Sequence, residues 1–416
     1  VKRRFESVCV VGLGYVGLPT AAIFASRGLN VLGVDVNEQT VGLINQGKIH
    51  IVEPDLDILV NGAVATGKLS AATQPAPADA FIIAVPTPFK DGHKPDLSFI
   101  EAATRSIAGV LKNGDLVIVE STSPVGTTER VSQQLATLCP LLRFPHAVGS
   151  EADVNIAHSP ERVLPGRVLV ELVSNDRVIG GVSPKCAERA AEFYRLAVQG
   201  ECLLTTARTA ELVKLAENAF RDVNIAFANE LSLVCERLGI DVWEATRLAN
   251  HHPRVNILKP GPGVGGHCIA VDPWFIVDSA PQETVLIRAA RQVNDGKPGH
   301  VVARVKAAAA RIVRPTIACL GLAYKADIDD LRESPAVGIV KALAQAFDGR
   351  LLVVDPYVER LPDELVGHKN ITLVDLDAAL VKADIVLLLT DHRPFKEIAR
   401  ERLNGKIIVD TRGAWR

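Results

Sequence analysis

The chain has 416 residues, 48% of them hydrophobic and 23% charged, with a formal net charge of −2. That length points to two or three domains of ordinary globular composition. The near-neutral charge argues against a general nucleic-acid or membrane-surface role, and no run of about 18 uninterrupted apolar residues marks a membrane span.

Residues 8–205 alternate short apolar strands with helical stretches. Strands are predicted at Val8–Val11, Val31–Asp35, Ala80–Val85, Leu116–Glu120, Val154–His158, Val178–Gly181 and Leu203–Thr205. Helices are predicted near 16–27, 37–46, 98–111, 124–137 and 184–196. Such alternation builds a parallel sheet covered by helices. From Thr206 the pattern changes, and Leu212, Leu215, Ala219, Val223, Ala226 and Phe227 keep an apolar face at helical spacing. That helix runs to Leu238 and is stopped by Gly239. Shorter helices are predicted at Asp241–Asn250 and Glu283–Val293, with Arg311–Pro315 as a linker. Strands resume at Thr316–Leu320, Leu351–Asp355, Ile385–Leu389 and Ile407–Asp410, with helices at 335–347 and 375–382. The fold class is therefore α/β: two Rossmann-like, doubly wound parallel-sheet domains joined by a central helical region. The expected boundaries are 1–205, 206–312 and 313–416.

The run Val8 to Pro19 fits G-x-G-x-x-G between a strand and a helix. Gly12 permits the tight turn, Gly14 lets backbone approach a pyrophosphate, and Gly17 allows close helix–strand packing. The helix N-terminus supplies N–H donors to phosphates. Asp35 closes the next strand, where a carboxylate accepts ribose hydroxyls and repels a 2′-phosphate, so NAD is favoured over NADP.

A second segment, Gly261 to Pro273, carries Cys268 among Gly263, Gly265 and Gly266. The glycines let the chain bend closely around a substrate, and a thiol there is a candidate nucleophile. A nicotinamide site combined with such a thiol suggests an oxidation that continues past an aldehyde to an acid. Asp272, four residues on, is placed to orient a water or a base. The seven cysteines are scattered with no CxxC pair, which argues against disulfides or zinc and for a reducing compartment. Cys9, Cys235 and Cys319 fall in strand or helix patterns and read as small buried hydrophobes. His158 and His267 read as packing histidines, since no second ligand is spaced to help either bind a metal.

Lys214 and Asn218 stand at i and i+4 on one helix face. They either stabilise an alkoxide or mark a solvated face together with Glu211 and Glu217. Glu161 and Thr122 each follow a predicted strand, where open α/β sheets hold ligands. The local alternatives are a surface charge beside a proline turn and a cap for the helix at Pro124. In the last domain, Lys325 follows Gly321-Leu322-Ala323-Tyr324, and Arg332 precedes a helix. Both are candidate anion contacts or ordinary surface charges.

Together, G-L-G-Y-V-G-L-P, V-P-T-P at 85–88, E-S-T-S-P-V-G-T-T at 120–128, P-E-R-V-L-P-G at 160–166, K-L-A-E-N at 214–218, G-V-G-G-H-C at 263–268, G-L-A-Y-K and D-L-R-E-S-P carry a resemblance. The chain resembles the UDP-glucose/UDP-N-acetylmannosamine dehydrogenase family of NAD-dependent, four-electron oxidoreductases over nearly its whole length. The resemblance implies Cys268 as the nucleophile that forms thiohemiacetal and thioester, with Lys214 and Asn218 stabilising the oxyanion. It implies Asp272 and Thr122 as assistants of the hydrolytic water, and Glu161 in acid–base or water-positioning chemistry. Cofactor contacts are implied for Gly12, Gly14, Tyr15, Val16, Gly17, Asp35, Pro86, Thr87, Thr122 and Arg332. Substrate contacts are implied for Glu161, Arg162, Val163, Lys214, Asn218, Arg254, Gly265 and Lys325, with Arg254 reaching across a dimer. Arg162 and Trp274 are candidates for an acetamido pocket.

Two positions depart from the UDP-glucose members: Pro165 replaces a second glutamate, and Val271 replaces a lysine before Asp272. Both match the branch with N-acetylated substrates. The implied reaction is oxidation of UDP-N-acetyl-D-mannosamine at C6 to the uronic acid for polysaccharide biosynthesis, with the N-acetylglucosamine epimer as the alternative substrate. The implied assembly is a cytoplasmic homodimer without metal, nucleic-acid or membrane partners. A non-catalytic nucleotide-sugar or NAD-binding protein is the reading from another class.

Overall fold

The computed structural model describes residues 5–164, 166–266 and 268–415. The Pro165 departure and the packing role expected of His267 lie outside the described residues. The chain divides into two compact units. One holds the residues up to Glu217 with Trp274–Ser279, and the other holds Asn218–Pro273 with the chain from Ala280 onward.

The strands of the first unit are β1 (Ser7–Val11), β2 (Asn30–Val34), β3 (Leu69–Ala72), β4 (Ala80–Ile83), β5 (Phe89–Lys90), β6 (Lys94–Pro95), β7 (Leu116–Val119), β8 (Asn155–His158), β9 (Arg177–Gly181) and β10 (Cys202–Thr206). β5 and β6 form a small antiparallel ribbon, and the other eight form one sheet in the order β10-β9-β8-β7-β4-β1-β2-β3. Val8 and Val10 pack into one core and Cys9 and Val11 into another. A sheet covered on both faces accounts for the unbroken apolar runs in the sequence. The six strands from β3 to β8 run parallel, but β8 pairs antiparallel with β9, and β10 follows β9. Apolar patterning marks a strand without marking its direction, so this reversal was not visible in the sequence.

The second unit contains a five-stranded parallel sheet: β11 (Thr316–Leu320), β12 (Arg350–Val354), β13 (Ile371–Leu373), β14 (Ile385–Leu388) and β15 (Ile407–Asp410), in the order β13-β12-β11-β14-β15. The long helix Ala207–Leu238 starts in the first unit and continues in the second. The helix expected to stop near Val293 instead spans Val285–Ala309, straight through Pro298. An interior proline costs about 3 kcal/mol of helix propensity. Here Arg291, Asn294, Lys297, Val301, Val305 and Ala309 are all buried along one face, and that packing offsets the cost. β3 and β13, together with the helices Leu56–Ala65 and Val168–Ser174, were not predicted. Leu69-Ser70-Ala71-Ala72 has weak strand propensity of its own and is ordered by pairing with β2.

Candidate functional site

The dinucleotide fingerprint folds as its glycine spacing requires. Gly12 follows β1 with φ of +95°, and a Cβ there would sit 2.6 Å from the Ala84 carbonyl oxygen. A Cβ on Gly17 would meet the Gly12 carbonyl oxygen at 1.8 Å, so only glycine lets the helix Gly17–Ser26 start this close to the strand. Gly14 is different, because a Cβ there would meet nothing within 4 Å. This is the open backbone surface that a pyrophosphate needs. Asp35 is half-buried, and its Oδ2 accepts the Leu13 N–H at 3.0 Å while Oδ1 accepts the Asn37 N–H at 2.9 Å. The acid thus pins the glycine turn to the end of β2. These residues fit NAD. Tyr15 and Pro86 are exposed beside the turn, and Val16 and Thr87 are half-buried. Thr87 donates to the Thr122 carbonyl oxygen at 2.6 Å, tying the loops after β4 and β7 together.

The loop after β8 carries Glu161, Arg162 and Val163, all half-buried. Glu161 Oε2 accepts from Arg177 Nη2 at 2.5 Å, and Oε1 accepts the Arg162 N–H at 2.6 Å. Arg162 pairs with Glu217 at 2.9 Å and also donates to the Asp176 carbonyl oxygen. The Trp274 ring stacks on His93 with centroids 4.4 Å apart. Both acetamido-pocket candidates are therefore engaged by protein groups. Glu211, expected on a solvated face, is instead buried. Its carboxylate accepts the Gly126 N–H at 2.6 Å and the Thr128 N–H at 2.7 Å, capping the helix Thr127–Leu138. Burial pushes its carboxyl up, partly opposed by the Thr128 and Gly126 bonds. The sequence signal for this cap was the long helix's apolar face, which extends to include a glutamate.

Lys214 is half-buried on the long helix, one turn before Asn218. In the second unit, Asn218 Nδ2 donates to Asp272 Oδ2 at 2.5 Å, and both side chains are buried. The Cys268 carbonyl oxygen accepts the N–H groups of Val271 at 3.0 Å and Asp272 at 2.8 Å. This turn leads directly into the helix Asp272–Ser279 and leaves Cys268 half-exposed at its head. By contrast, burial pushes the Cys9 and Cys319 thiols up to about 12. His158 is also buried, and burial holds its imidazole down to about 3, neutral as expected of a packing residue. Among the described residues, no group of three His, Cys, Asp or Glu side chains could hold a metal.

The glycines of the thiol loop permit close packing. A Cβ on Gly265 would meet the Glu333 carbonyl oxygen at 2.5 Å, and one on Gly266 would meet the Tyr324 ring at 2.8 Å. The Gly266 N–H donates to the Arg332 carbonyl oxygen at 3.1 Å. The loop therefore lies against the segment Tyr324–Pro335, which brings Tyr324 into the electrostatic field of Cys268. Burial pushes the Tyr324 phenol up, and the Asp330 and Cys268 charges add to this while Arg332 and Arg221 oppose it. Sequence reasoning passed over Tyr324. Lys325 and Arg254 are exposed, and the exposed Arg332 side chain pairs with Asp330 at 2.6 Å. Asp355, after β12, repeats the role of Asp35 by accepting the Leu322 N–H at 2.7 Å and the Ala323 N–H at 3.2 Å. It also meets His392 Nε2 at 3.2 Å and is far more enclosed than Asp35.

Residues 6–198 match the NAD binding domain of the UDP-glucose/GDP-mannose dehydrogenase family, residues 208–296 its central domain, and residues 318–416 its UDP binding domain. The chain belongs to this family. It is an NAD-dependent UDP-sugar dehydrogenase. It is 60% identical over 411 residues to the NDP-N-acetyl-D-galactosaminuronic acid dehydrogenase of Ralstonia nicotianae, covering 99% of this chain and 96% of that one. It is also 60% identical over 420 residues to the UDP-N-acetyl-D-mannosamine dehydrogenase of Yersinia pestis, covering 99% of this chain and 100% of that one. The solved UDP-D-ManNAc dehydrogenase of Pyrococcus horikoshii superposes with a TM-score of 0.88 at 40% identity, over 99% of this chain and 96% of that one. No helix among the described residues is long and apolar enough to cross a membrane.

Proposed function

We propose that this dehydrogenase oxidises UDP-N-acetyl-D-mannosamine at C6 to UDP-N-acetyl-D-mannosaminuronic acid, with Cys268 as the nucleophile. The observation that carries the reading is the half-exposed Cys268 at the head of a turn closed on Asp272, with Asp272 bonded to Asn218, in a chain that also holds a complete NAD fingerprint. NAD, when bound, accepts hydride from C6, and two NAD are consumed per sugar. The Cys268 sulfur adds to the C6 aldehyde and leaves when water cleaves the thioester, so an alcohol and one water become a carboxylate. Lys214 and the second amide proton of Asn218 stabilise the oxygen anion on C6. Asp272, held by the first amide proton, takes a proton from the hydrolytic water, and Thr122 helps to place that water. Glu161 serves the acid–base steps. Arg162, Val163, Arg254, Gly265 and Lys325 contact the UDP-sugar, while Tyr15, Val16, Pro86, Thr87 and Arg332 contact the cofactor.

The functional division follows 1–205 for NAD, 206–312 for the helical centre and 313–416 for UDP. The exposed stripe Phe220, Phe227, Val234 and Leu238, spaced by 7, 7 and 4 residues on one helix, supports a homodimer. Seven thiols with no disulfide support a cytoplasmic setting. The Ralstonia relative favours a second reading, in which the sugar is an N-acetylgalactosamine. NADH formation on UDP-N-acetyl-mannosamine, -glucosamine and -galactosamine, measured side by side, tests the assignment. Two NADH per sugar with the mannosamine epimer is expected. Preferred turnover of either other sugar overturns the epimer assignment, and one NADH with free aldehyde overturns the thiol mechanism.

A further inference from the structure

Resting on the role given to Glu161 above, we propose that Arg177 is the positioning residue that holds the Glu161 carboxylate, and that the buried Glu120 competes with Glu161 for it. Arg177 opens β9 and is buried within the first unit. Its Nη2 donates to Glu161 Oε2 at 2.5 Å. Its Nη1 donates to Glu120 Oε1 at 3.2 Å and to Ser159 Oγ at 3.3 Å. The guanidinium carbon lies 4.3 Å from the centre of the Tyr194 ring, so the fork is clamped from its face as well. Glu120 follows β7 and is locked in turn. Tyr194 donates to its Oε1 at 2.6 Å, and Thr20, on the helix that follows the dinucleotide glycines, donates to its Oε2 at 3.4 Å.

Within this cluster one guanidinium serves two carboxylates, and Arg162, next to Glu161 in the chain, is paired with Glu217. Burial pushes Glu120 up, Arg177 pulls it down, and the negative charge of Glu161 pushes it up again. For Arg177, burial acts downward, but the carboxylates of Glu161 and Glu120 act upward and the net direction is up. A buried ion cluster is seldom more stabilising than apolar side chains of the same volume. What this one achieves is placement. Glu120 is enclosed, whereas Glu161, the half-buried member, lies in a loop beyond the C-terminal end of β8. Both Glu161 oxygens are anchored, one by Arg177 and one by the Arg162 N–H, which fixes the carboxylate plane.

The test is the pH dependence of kcat and KM in the NAD-supplied enzyme for Arg177→Lys, Glu120→Gln and Glu161→Gln, with thermal unfolding of each. Lysine cannot fork between two carboxylates. Arg177→Lys is expected to lower kcat about 100-fold, leave KM for NAD unchanged and move the acid limb of kcat upward by about one pH unit. Glu120→Gln keeps a partner for Tyr194 and Thr20 but releases the guanidinium to Glu161, so its acid limb is expected to move downward. Opposite shifts from two lesions in one cluster are not produced by loss of packing. Limbs that both stay, or both move the same way, overturn the positioning role. If Arg177→Lys fails to fold, an unmoved limb in Glu120→Gln overturns it alone. Full activity of Glu161→Gln instead removes Glu161 from the chemistry, and the positioning role falls with it.

Discussion

Gly14 and Gly17 are three residues apart in one motif, yet the structure predicts opposite outcomes when each becomes alanine. At position 17 the new Cβ would lie 1.8 Å from the Gly12 carbonyl oxygen and 3.2 Å from the Ala84 Cβ. Real Cβ contacts are essentially never below 3.0 Å, so the helix must retreat by 3.0 − 1.8 = 1.2 Å or the turn must open. Overpacking of this kind costs about 1–3 kcal/mol. Alanine recovers at most about 1 kcal/mol of helix propensity. A net loss of about 1–2 kcal/mol lowers Tm of a unit this size by about 2–8 °C. The retreat also takes the first N–H groups of the helix away from the phosphates. At position 14 there is no clash, since nothing lies within 4 Å. Gly14→Ala is therefore expected to fold with unchanged or slightly raised Tm, while its methyl group occupies the surface the pyrophosphate needs and weakens NAD about tenfold, or 1.4 kcal/mol. Differential scanning fluorimetry without ligand, followed by calorimetric titration with NAD, separates the two effects. Loss of Tm in Gly14→Ala, or unaltered Tm and NAD affinity in Gly17→Ala, would refute this account of the turn.

Cys268→Ser is expected to abolish sustained NADH formation and uronic acid, because an alkoxide forms and leaves less readily than a thiolate; acid detected at the parental rate by chromatography would remove the sulfur from the scheme. Asp222→Ala removes the carboxylate 2.7 Å from the buried Arg291, which keeps Asp295 as its second partner, and a loss of about 1.5–3 kcal/mol in urea unfolding is expected. Burial pushes the Lys297 ammonium down to about 8. A lysine whose folded-state value lies below its ordinary one penalises the fold wherever it is protonated, below about 8, and the penalty fades as pH rises toward the ordinary value of about 10.4. Lys297→Met should therefore raise Tm at pH 7 and raise it less at pH 10; an equal gain at both would show that only packing had changed. If the proposed dimer forms through the exposed stripe, Phe227→Glu puts a charge into it and should yield monomers by analytical ultracentrifugation, whereas a sedimentation coefficient equal to that of the parent would remove that face from the proposal.

Much of this protein was legible in its sequence because the relevant interactions are local. Gly12, Gly17 and Asp35 shape their turn through atoms a few residues away or on the adjacent strand, and the apolar runs of β1, β4 and β7 required only that both sheet faces be covered. The thiol loop declared itself by its glycines, but not by what packs against them. The space beside Gly265 and Gly266 is taken by Glu333 and Tyr324, residues some sixty positions away. Other features depend entirely on long-range contacts. The reversal at β9, the helix that persists through Pro298, the burial of Glu211 as a cap, and the gathering of Glu120, Glu161 and Tyr194 around Arg177 each depend on segments far apart in the chain. A charged residue in a sequence reads as surface unless its partner is known. Only the tertiary fold, by removing water from both members at once, decides which charges become structure and which remain available for chemistry.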